Sequence, residues 1–330
     1  MAAPSPTVEA SNLACRICGN AVGNCALTVR EMMFGSREPF TYFQCAKCQC
    51  LQIVEVPEDL GRFYPSDYYT AQPLKEHKYR GIIGAIRVLP FKASLFPRHP
   101  PYWLIARLAR QDRFACLAGL GVNRRTRVLD VGCGNGKHFA YPLRCMGFQA
   151  VAGCDPFVAD RLVYRNGLCI ECMTLTAMAD TDPRRWDLIT FHHSFEHIPD
   201  PAATLRAAHR LLDPGGYCVI RIPTCSSFAW EHYGGDWIQL DAPRHLFLHS
   251  RQSMKLLAEQ ARLELIDVQD DSNYVQFWGS QAYRRGTSLV ELKKGKGPAW
   301  LWRRWRFNRR ATRLNRQGRG DQAAFILRKT

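Results

Sequence analysis

The chain has 330 residues, 46% hydrophobic and 22% charged, a composition ordinary for a globular protein with one large domain and a smaller one. Its net charge of +16 is unusual, and the excess lies mainly in residues 281–330, which carry 15 Lys and Arg against Glu291 and Asp321. No run of about 18 apolar residues occurs, and the first residues lack the charged start and apolar core of a signal peptide, so the sequence predicts a cytoplasmic protein without a membrane span.

Two pairs of closely spaced cysteines follow a small, polar N-terminus, residues 1–12, that we expect to be disordered. The pairs have C-x-x-C spacing and are separated by 26 residues: Cys15, Cys18, Cys45 and Cys48. Two thiolates on each of two turns can complete the tetrahedral ligand set of Zn²⁺, and four thiolates leave no open position for chemistry. The sequence therefore predicts a structural zinc ribbon over residues 13–60. The alternative is a set of buried, reduced cysteines.

Residues 61–122 read as an aromatic linker followed by a helical lid. The linker GRFYPSDYY contains Tyr68 and Tyr69, which we expect to fold over a substrate pocket, with simple packing of the linker as the alternative. Prolines at 90, 97, 100 and 101 predict that the next part is broken into short pieces. The stretch LIARLARQDRFACLAGLG has apolar residues at helical spacing and ends in glycine, which predicts one helix over residues 104–121.

A glycine-rich turn follows a short apolar strand in the segment VLDVGCGNG. The strand carries Asp130, and Gly132, Gly134 and Gly136 follow at alternate positions, where glycine accepts positive φ and lets a ligand lie against bare backbone. The dinucleotide pattern G-x-G-x-x-G fits less well, because Lys137 stands where its third glycine belongs. The loop therefore indicates a nucleoside cofactor other than NAD.

Strands and helices alternate from residue 127, which predicts a mostly parallel sheet with helical crossovers. The second strand ends at Asp155, where a doubly wound fold binds ribose hydroxyls. ATLRAAHRLL is the clearest helix, and residues 213–216 are predicted to form the turn into the fifth strand. The predicted strands are RVLDVG, QAVAGCD, LCIECMT, WDLITFHH, GYCVIRIP, LELIDVQD and AAFILRK.

The glycine loop, the acid and the seven strands resemble those of class I S-adenosylmethionine-dependent methyltransferases over residues 123–330. The resemblance implies an α/β, Rossmann-like sheet of order 3-2-1-4-5-7-6 with an antiparallel seventh strand, and a basic insertion at about residues 275–320. It also implies that S-adenosylmethionine is the cofactor and that Asp155 binds its ribose. The methionyl part would lie against Asp130, Gly132, Gly134 and Gly136.

A narrower resemblance rests on phrases that occur here in one order: CRIC, CAKC, YPSDYY, SFEHIPDP, LLDPGG and WIQLDAPRHLFLHS. This layout is similar to bacterial methyltransferases with an N-terminal zinc-binding domain, among them sugar C-methyltransferases and enzymes of polysaccharide and natural-product clusters. It covers nearly the whole chain. It implies a small, anionic acceptor, such as a nucleotide-linked sugar or a polysaccharide or natural-product precursor, methylated on oxygen or carbon.

The candidate catalytic residues lie in two loops that follow the fourth and fifth strands, the edge at which an open α/β sheet binds its ligands. Histidine suits a general base because its pKa lies near working pH. We therefore expect His245, and after it His197, to take a proton from the acceptor, with a helix cap or a packing residue as the alternative for His197. Trp237 and Arg244 would supply a wall and an anion clamp, with a surface ion pair as the alternative for Arg244.

Arginines and aromatic residues interleave in the basic region of residues 284–319. Such a stretch fits an anionic polymer or a membrane surface, and hence peripheral membrane association; the alternative is a solvated helix whose aromatics pack on the sheet edge.

Two other functions of the protein stay open. The basic charge and the zinc ribbon suit an RNA methyltransferase, although no Asn/Asp-Pro-Pro-Tyr/Phe motif follows the fourth strand. A binding module that kept the fold without the activity is the other.

Overall fold

A computed structural model describes residues 8–9, 13–64, 74–100, 102–293 and 295–330 of the chain. Its strands are β1 (Val8–Glu9), β2 (Cys25–Arg30), β3 (Pro39–Gln44), β4 (Leu51–Ile53), β5 (Val128–Val131), β6 (Val151–Cys154), β7 (Leu162–Val163), β8 (Cys169–Glu171), β9 (Trp186–His192), β10 (Leu212–Pro223), β11 (Phe247–Leu248), β12 (Glu264–Asp270) and β13 (Gln322–Arg328). Its α-helices are α1 (Gly81–Leu95), α2 (Tyr102–Leu108), α3 (Asp112–Ala115), α4 (Ala140–Cys145), α5 (Leu175–Thr181), α6 (Pro201–Leu211), α7 (Phe228–Tyr233), α8 (Arg251–Gln260), α9 (Val275–Tyr283) and α10 (Gly297–Arg316). Short 3-10 helices lie at Leu60–Phe63, Glu76–Tyr79, Phe195–His197, Gly234–Asp236 and Ile238–Leu240.

The larger sheet in the described part of the chain is mixed and has eight strands, in the order β12-β13-β10-β9-β5-β6-β8-β7. Seven of them follow the predicted order 3-2-1-4-5-7-6, with β13 antiparallel between β10 and β12. The eighth, β7, differs from the prediction: it has two residues and pairs antiparallel with β8 at the sheet edge. So short a strand contains no alternation pattern that could reveal it.

The central strands of this sheet determine where the candidate site lies. Every residue of β5 and β6 is buried, and β5 pairs in parallel with both β6 and β9. Parallel strands buried on both faces read as continuous apolar runs, which explains why the sequence revealed them. Their carboxyl ends meet at one edge. The glycine loop follows β5 there, Asp155 follows β6, and residues 193–197 follow β9.

Two helix predictions for residues 81–121 are wrong in part, although the chain is broken around Pro97 and Pro100, between α1 and α2, as predicted. Helix α1 runs unbroken through Pro90. The carbonyl that Pro90 leaves without a backbone donor is that of Ile86, whose side chain is exposed, so water can reach this side of the helix. The single helix expected over residues 104–121 is divided into α2 and α3. Between them, the N–H of Gln111 donates to the hydroxyl of Ser94 on α1 at 2.8 Å instead of continuing a helix.

Two shorter segments also differ from expectation. Val8 and Glu9 lie in the N-terminus expected to be disordered, yet they form β1 and pair antiparallel with β2. Residues 213–216, expected to be a turn, belong to β10, whose pairing with β9 shifts register between Leu212 and Tyr217. The irregular pairing accommodates the glycine-rich segment without ending the strand.

The smaller sheet joins the N-terminal region to the loop that follows β10. Its order is β1-β2-β3-β4-β11, so that β11 pairs antiparallel with β4. The hydroxyl of Tyr42 on β3 donates to the backbone carbonyl of His245 at 2.8 Å. The hydroxyl of Ser250 donates to the carbonyl of Cys48 at 2.5 Å. The predicted ribbon is therefore packed directly on the loop that carries His245.

The basic insertion contains α9 and α10, which precede β13. Helix α10 buries Ala311 and Leu314, whereas Leu301, Trp302 and Trp305 are exposed. The guanidinium groups of two arginines on the helix lie over the exposed tryptophan rings at 4.6 and 4.8 Å from their centroids. In the part of the chain that the structure describes, no helix is both long and apolar enough to cross a membrane. Contact of residues 284–319 with an anionic surface stays a prediction.

His249 is a buried histidine between the two sheets. Its ring lies 5.3 Å from the ring of Phe195 and stacks on Phe247 at 5.6 Å between centroids. Its Nε2 atom has no hydrogen-bond partner among the described residues. Burial lowers the pKa of His249 to about 3, so the ring is neutral at physiological pH.

We expect this histidine to make the fold sensitive to acid. In the unfolded chain its pKa returns to about 6.5, so below that pH the unfolded state binds more protons, and stability falls by about 1.4 kcal/mol per pH unit towards pH 3. Urea unfolding at about pH 7.5 and about pH 5.5 measures the difference. His249→Phe should reduce it by about 1.4 kcal/mol, whereas His99→Phe, at an exposed position, should not. An unchanged difference in His249→Phe would contradict this account.

Candidate active site

The glycine loop is a tight turn that side chains cannot enter. Gly132, Gly134 and Gly136 have φ of 66°, 53° and 71°. A Cβ at Gly132 would lie 2.4 Å from the Cβ of Ser194, and one at Gly136 would lie 3.0 Å from side chains behind the loop. Backbone conformation and crowding therefore both require glycine. Ser194 begins the turn that follows β9, so the loop also contacts that turn directly.

Asp155 is joined to the glycine loop by a hydrogen bond. Its Oδ2 accepts from the N–H of Gly134 at 2.7 Å, and its Oδ1 accepts from the N–H of Phe157 at 2.8 Å. Each carboxylate oxygen has a second lone pair, so the group can still accept protons from ligand hydroxyls. The structure therefore brings the acid predicted to bind ribose next to the glycine loop.

Asp130 lies deeper than the loop. It is buried within β5, and its Oδ1 accepts from the hydroxyl of Thr190 at 2.9 Å. Burial raises the pKa of Asp130 to about 7, so a substantial fraction of this side chain is protonated at neutral pH. Its part in holding a cofactor stays a prediction.

Acidic and imidazole side chains gather where β9 ends. One ligand atom from each of Glu196, His197 and His245 lies within 4.8 Å of the others. Glu196 is fully buried, and its carboxylate oxygens have no hydrogen-bond partner among the described residues; Nδ1 of His193 is 3.5 Å away. Burial alone would raise the pKa of Glu196, but the neighbouring histidines hold it at about 2. A buried carboxylate of this kind can hold a cation or stabilise a protonated imidazole beside it.

The proton-accepting atom of His245 follows from its contacts. Nδ1 lies 2.7 Å from the carbonyl oxygen of Gln239, which can only accept, so Nδ1 carries the proton. The lone pair of the neutral ring is then on Nε2. Nε2 lies 3.8 Å from Oε1 of Glu196 and 3.7 Å from Oδ2 of Asp241. A proton taken up at Nε2 would be stabilised by both carboxylates.

His197 and Tyr64 connect the histidine cluster with the end of the sheet that carries the glycine loop and Asp155. Nδ1 of His197 lies 2.8 Å from the carbonyl oxygen of Arg244 and 3.1 Å from the hydroxyl of Tyr64. Burial lowers the pKa of His197. The Tyr64 ring stacks on Phe157, two residues after the ribose-binding candidate, at 6.3 Å between centroids. The glycine loop, the acid and the histidines thus lie at the same end of the larger sheet.

Trp237 does not have the exposed position expected of a substrate wall. Its side chain is fully buried, and its Nε1 donates to Oδ2 of Asp321 at 3.0 Å. The indole therefore packs in the core beneath the loop. Tyr68 and Tyr69, predicted to fold over the pocket, lie outside the described residues.

Arg244 is placed differently from the predicted anion clamp. It is fully buried, pairs with the carboxylate of Asp241 and donates to the carbonyl of Phe63 at 3.2 Å. Its charge is thus already balanced inside the protein, and it positions Asp241 beside His245. A surface ion pair, the alternative considered for this residue, is excluded by the same burial.

Sequence reasoning missed three residues of this site: Tyr64, Phe157 and Asp241. Asp241 stands four residues before His245 in WIQLDAPRH, and an acid at that distance was a signal that the two side chains could meet. Tyr64 and Phe157 had no such signal, because they come together from segments about 90 residues apart.

The four predicted zinc ligands come together between the two turns that carry the cysteine pairs. Their sulfur atoms all lie within 4.8 Å of one another, and the pairs Cys15–Cys48 and Cys18–Cys45 are each 3.5 Å apart. Thiolates at about 2.3 Å from a tetrahedral Zn²⁺ lie about 3.8 Å apart, so the donor set fits this ion.

The two cysteine turns have the same backbone conformation. Gly19 follows the first pair with φ of 72°, and Gln49 follows the second with φ of 59°. Their N–H groups donate to the carbonyls of Cys15 and Cys45 at 2.8 and 2.9 Å. The departure from glycine at Gln49 therefore preserves the turn, at the cost of some backbone strain.

Comparison with known proteins identifies one family and several partial relatives. The family model described as "Methyltransferase domain" matches residues 103–268, half of the chain. The ubiquinone biosynthesis O-methyltransferase of Pseudomonas aeruginosa is 36% identical over 112 residues, which are 32% of this chain and 45% of that protein. The protein of the same name from Alkalilimnicola ehrlichii is 37% identical over 111 residues, 32% of this chain and 43% of that one. The chain spans less than half of the length of these curated relatives.

Among the solved structures that match, two illustrate the partial likeness. A SAM-dependent methyltransferase from Thermotoga maritima is 18% identical with a TM-score of 0.41, covering 73% of this chain and 99% of that one. The geranyl diphosphate C-methyltransferase of Streptomyces coelicolor A3(2) is 15% identical with a TM-score of 0.42, covering 72% and 84%.

Proposed function

Because the chain belongs to the methyltransferase domain family, we propose that it transfers a methyl group from S-adenosylmethionine to an oxygen or carbon atom of a small acceptor. The hydrogen bond between Gly134 and Asp155, beside a buried cluster of histidines and carboxylates, is the observation that supports this best. When bound, S-adenosylmethionine supplies an electrophilic methyl group on a sulfonium centre. The residues that we propose to hold it are Asp130, Gly132, Gly134, Gly136 and Asp155.

In the proposed reaction, His245 removes the acceptor proton at Nε2. Gln239 fixes the ring through Nδ1, and Glu196 and Asp241 stabilise the imidazolium that forms. His197 is the second candidate base, and its hydrogen bond to a backbone carbonyl holds the ring in place. These groups act on the acceptor side of the site, so their loss should affect turnover more than cofactor binding.

The proposed acceptor is small, and we favour oxygen over carbon. The curated relatives are named O-methyltransferases of ubiquinone biosynthesis, which supports an oxygen acceptor. Nucleotide-linked sugars and polysaccharide or natural-product precursors stay the classes that the narrower resemblance predicts. Arg244 gives no support for an anionic acceptor because Asp241 neutralises it. The remaining support for an anionic acceptor is the net charge of +16.

The cofactor part of the proposal predicts that Gly132→Ala weakens binding of S-adenosylmethionine and S-adenosylhomocysteine by about 10–100-fold, since the strained φ and the contact with Ser194 must both be relieved. Titration calorimetry measures the affinity. Gly121→Ala is the matched control, because Gly121 has a similar φ of 72° but nothing within 4 Å of an added Cβ. Failure of the unaltered protein to bind either compound at millimolar concentration would refute the cofactor assignment.

The acceptor part is tested with methyl-labelled S-adenosylmethionine and a fractionated cell extract. We expect label in the small-molecule pool, and its retention after mild base treatment would distinguish an ether or C-methyl product from an ester. Label confined to RNA would support the RNA methyltransferase instead. No transfer to any pool, combined with intact cofactor binding, would support a binding module.

We also propose that Cys15, Cys18, Cys45 and Cys48 bind one structural Zn²⁺. In this arrangement residues 13–60 form the zinc-binding unit, residues 61–122 a linker and lid, and residues 123–330 the cofactor-binding domain. The ion would stabilise the smaller sheet and take no part in methyl transfer, because all its ligand positions are thiolates.

A further inference from the structure

Two consecutive helices present an unusual share of the exposed apolar side chains. Of the 14 large hydrophobic residues that are exposed in the described chain, six lie on α1 and α2, which pack against each other. They are Ile82 (80% exposed), Ile83 (71%), Ile86 (64%), Trp103 (55%), Leu104 (48%) and Leu108 (80%). Apolar side chains scattered singly need no explanation, but a concentration of this kind marks an interaction surface.

The charged residues of the same segment are almost all cationic. Residues 74–110 contain eight Lys and Arg and a single acid, Glu76. The carboxylate of Glu76 accepts from the hydroxyl of Tyr141 at 3.2 Å and from the N–H of Arg165 at 3.3 Å, so it faces the protein. A cleft of about 310 Å³ where α1 and α2 meet is lined by Trp103, Arg107 and Arg110. The exposed face of the two helices therefore combines aliphatic and indole groups with net positive charge, although Arg110 is paired with Asp112 at 2.9 Å.

Charge decides which partner fits this face. A second copy of the chain would bring this cationic segment against an identical one, which opposes association. A bilayer that contains anionic phospholipids offers both an apolar phase for the aliphatic side chains and phosphates for the basic ones. We propose that α1 and α2 dock the protein on the surface of an anionic membrane.

Docking of this kind is peripheral. The isoleucines enter the boundary between headgroups and acyl chains, and Trp103 lies at headgroup level, where indoles are enriched. Each basic residue near the surface adds about fivefold to the affinity at moderate salt. Residues 74–110 also contact a helix beside the larger sheet, since Tyr79 packs on Tyr141 of α4 at 5.1 Å between ring centroids. Helix α4 follows the glycine loop, so the surface lies beside the cofactor side of the protein.

The test is flotation of the full chain with vesicles of phosphatidylcholine alone, or with about 30% phosphatidylglycerol, at about 0.1 M and about 0.5 M salt. We expect binding only to the anionic vesicles, weakened by salt. The double change Ile82→Asp with Ile86→Asp should lower the affinity by at least about tenfold, because two aliphatic side chains no longer enter the interface. Both positions are exposed, and an unchanged unfolding temperature will verify that the fold is intact.

The matched control is Trp302→Asp with Trp305→Asp on α10, which removes two exposed apolar side chains and adds the same charge elsewhere. This variant should bind the anionic vesicles within about twofold of the unaltered protein. Equal binding to neutral vesicles, or loss of binding in the α10 variant alone, would overturn the proposal. So would sedimentation showing a dimer that the α1 variant dissociates, which would assign the surface to a second copy. None of these measurements depends on methyl transfer.

Discussion

Replacement of His245 by alanine is expected to lower turnover by about 10²–10⁴-fold, the usual effect of losing a positioned base, and to leave cofactor affinity unchanged. The expectation rests on Nε2, which is the basic atom because Nδ1 lies 2.7 Å from the carbonyl of Gln239. Two carboxylates within 3.8 Å of Nε2 would stabilise the proton that it takes up. Single-turnover methyl transfer measures the chemical step, and calorimetry with S-adenosylhomocysteine measures cofactor binding.

His245→Asn separates loss of the base from loss of structure. The asparagine amide can still donate to the Gln239 carbonyl, yet it has no basic nitrogen. This variant should lose turnover as alanine does and keep its unfolding temperature, whereas His99→Ala, at an exposed position, should behave as the unaltered protein. Turnover near normal in both His245 variants would show that proximity alone carries the transfer. A parallel fall in cofactor affinity would place His245 on the cofactor side instead.

The geometry of the proposed cofactor side could be predicted from the sequence because its signals are local. A buried parallel strand reads as an apolar run, and three glycines in five residues identify a turn that excludes side chains. The hydrogen bond from Gly134 to Asp155 joins the ends of neighbouring strands, β5 and β6, whose order follows from the alternation of strands and helices. Each step needs only sequence spacing and the rules of parallel sheets.

The acceptor side could be predicted only in part because burial there depends on tertiary contacts. Trp237 and Arg244 stand in a loop at the correct edge of the sheet, which made them candidates for binding. The sequence contains no sign that Asp321, more than 75 residues away, accepts a hydrogen bond from Trp237, or that Asp241 neutralises Arg244. Pro90 is a similar case, since solvation of the carbonyl that a proline frees helps a helix to continue past it, and this depends on tertiary exposure.

The smaller sheet connects the cysteine cluster with the loop that carries His245. The loop from Trp237 to Leu248 has little regular structure of its own, and its end is held as β11 against β4. Tyr42 on β3 donates to the carbonyl of His245, and the N–H of Leu246 donates to the carbonyl of Glu196 at 2.9 Å. The position of His245 relative to Glu196 therefore depends on strands that the cysteine turns close at one end.

Cys45→Ser is expected to reduce the metal content from about one zinc per chain to nearly none and to destabilise the smaller sheet. A structural thiolate site supplies about 10–16 kcal/mol of apparent binding free energy in isolated zinc-finger peptides, far more than the remaining contacts of so small a sheet can replace. Metal analysis by mass spectrometry and thermal unfolding measure the two effects. Turnover should fall as well, with cofactor affinity retained, because Tyr42 no longer holds the backbone of His245.

Cys25→Ser is the matched control for this change, since Cys25 is an exposed thiol on β2 outside the cluster. It should retain zinc, stability and turnover. A metal-free protein with an unchanged unfolding temperature would contradict the zinc assignment and support four buried, reduced cysteines. If Cys45→Ser loses zinc and stability but keeps normal turnover, the zinc assignment would still be supported. That result would show, however, that methyl transfer does not depend on the smaller sheet. Because Tyr42 and β11 tie that sheet to His245, we expect metal, stability and turnover to be lost together.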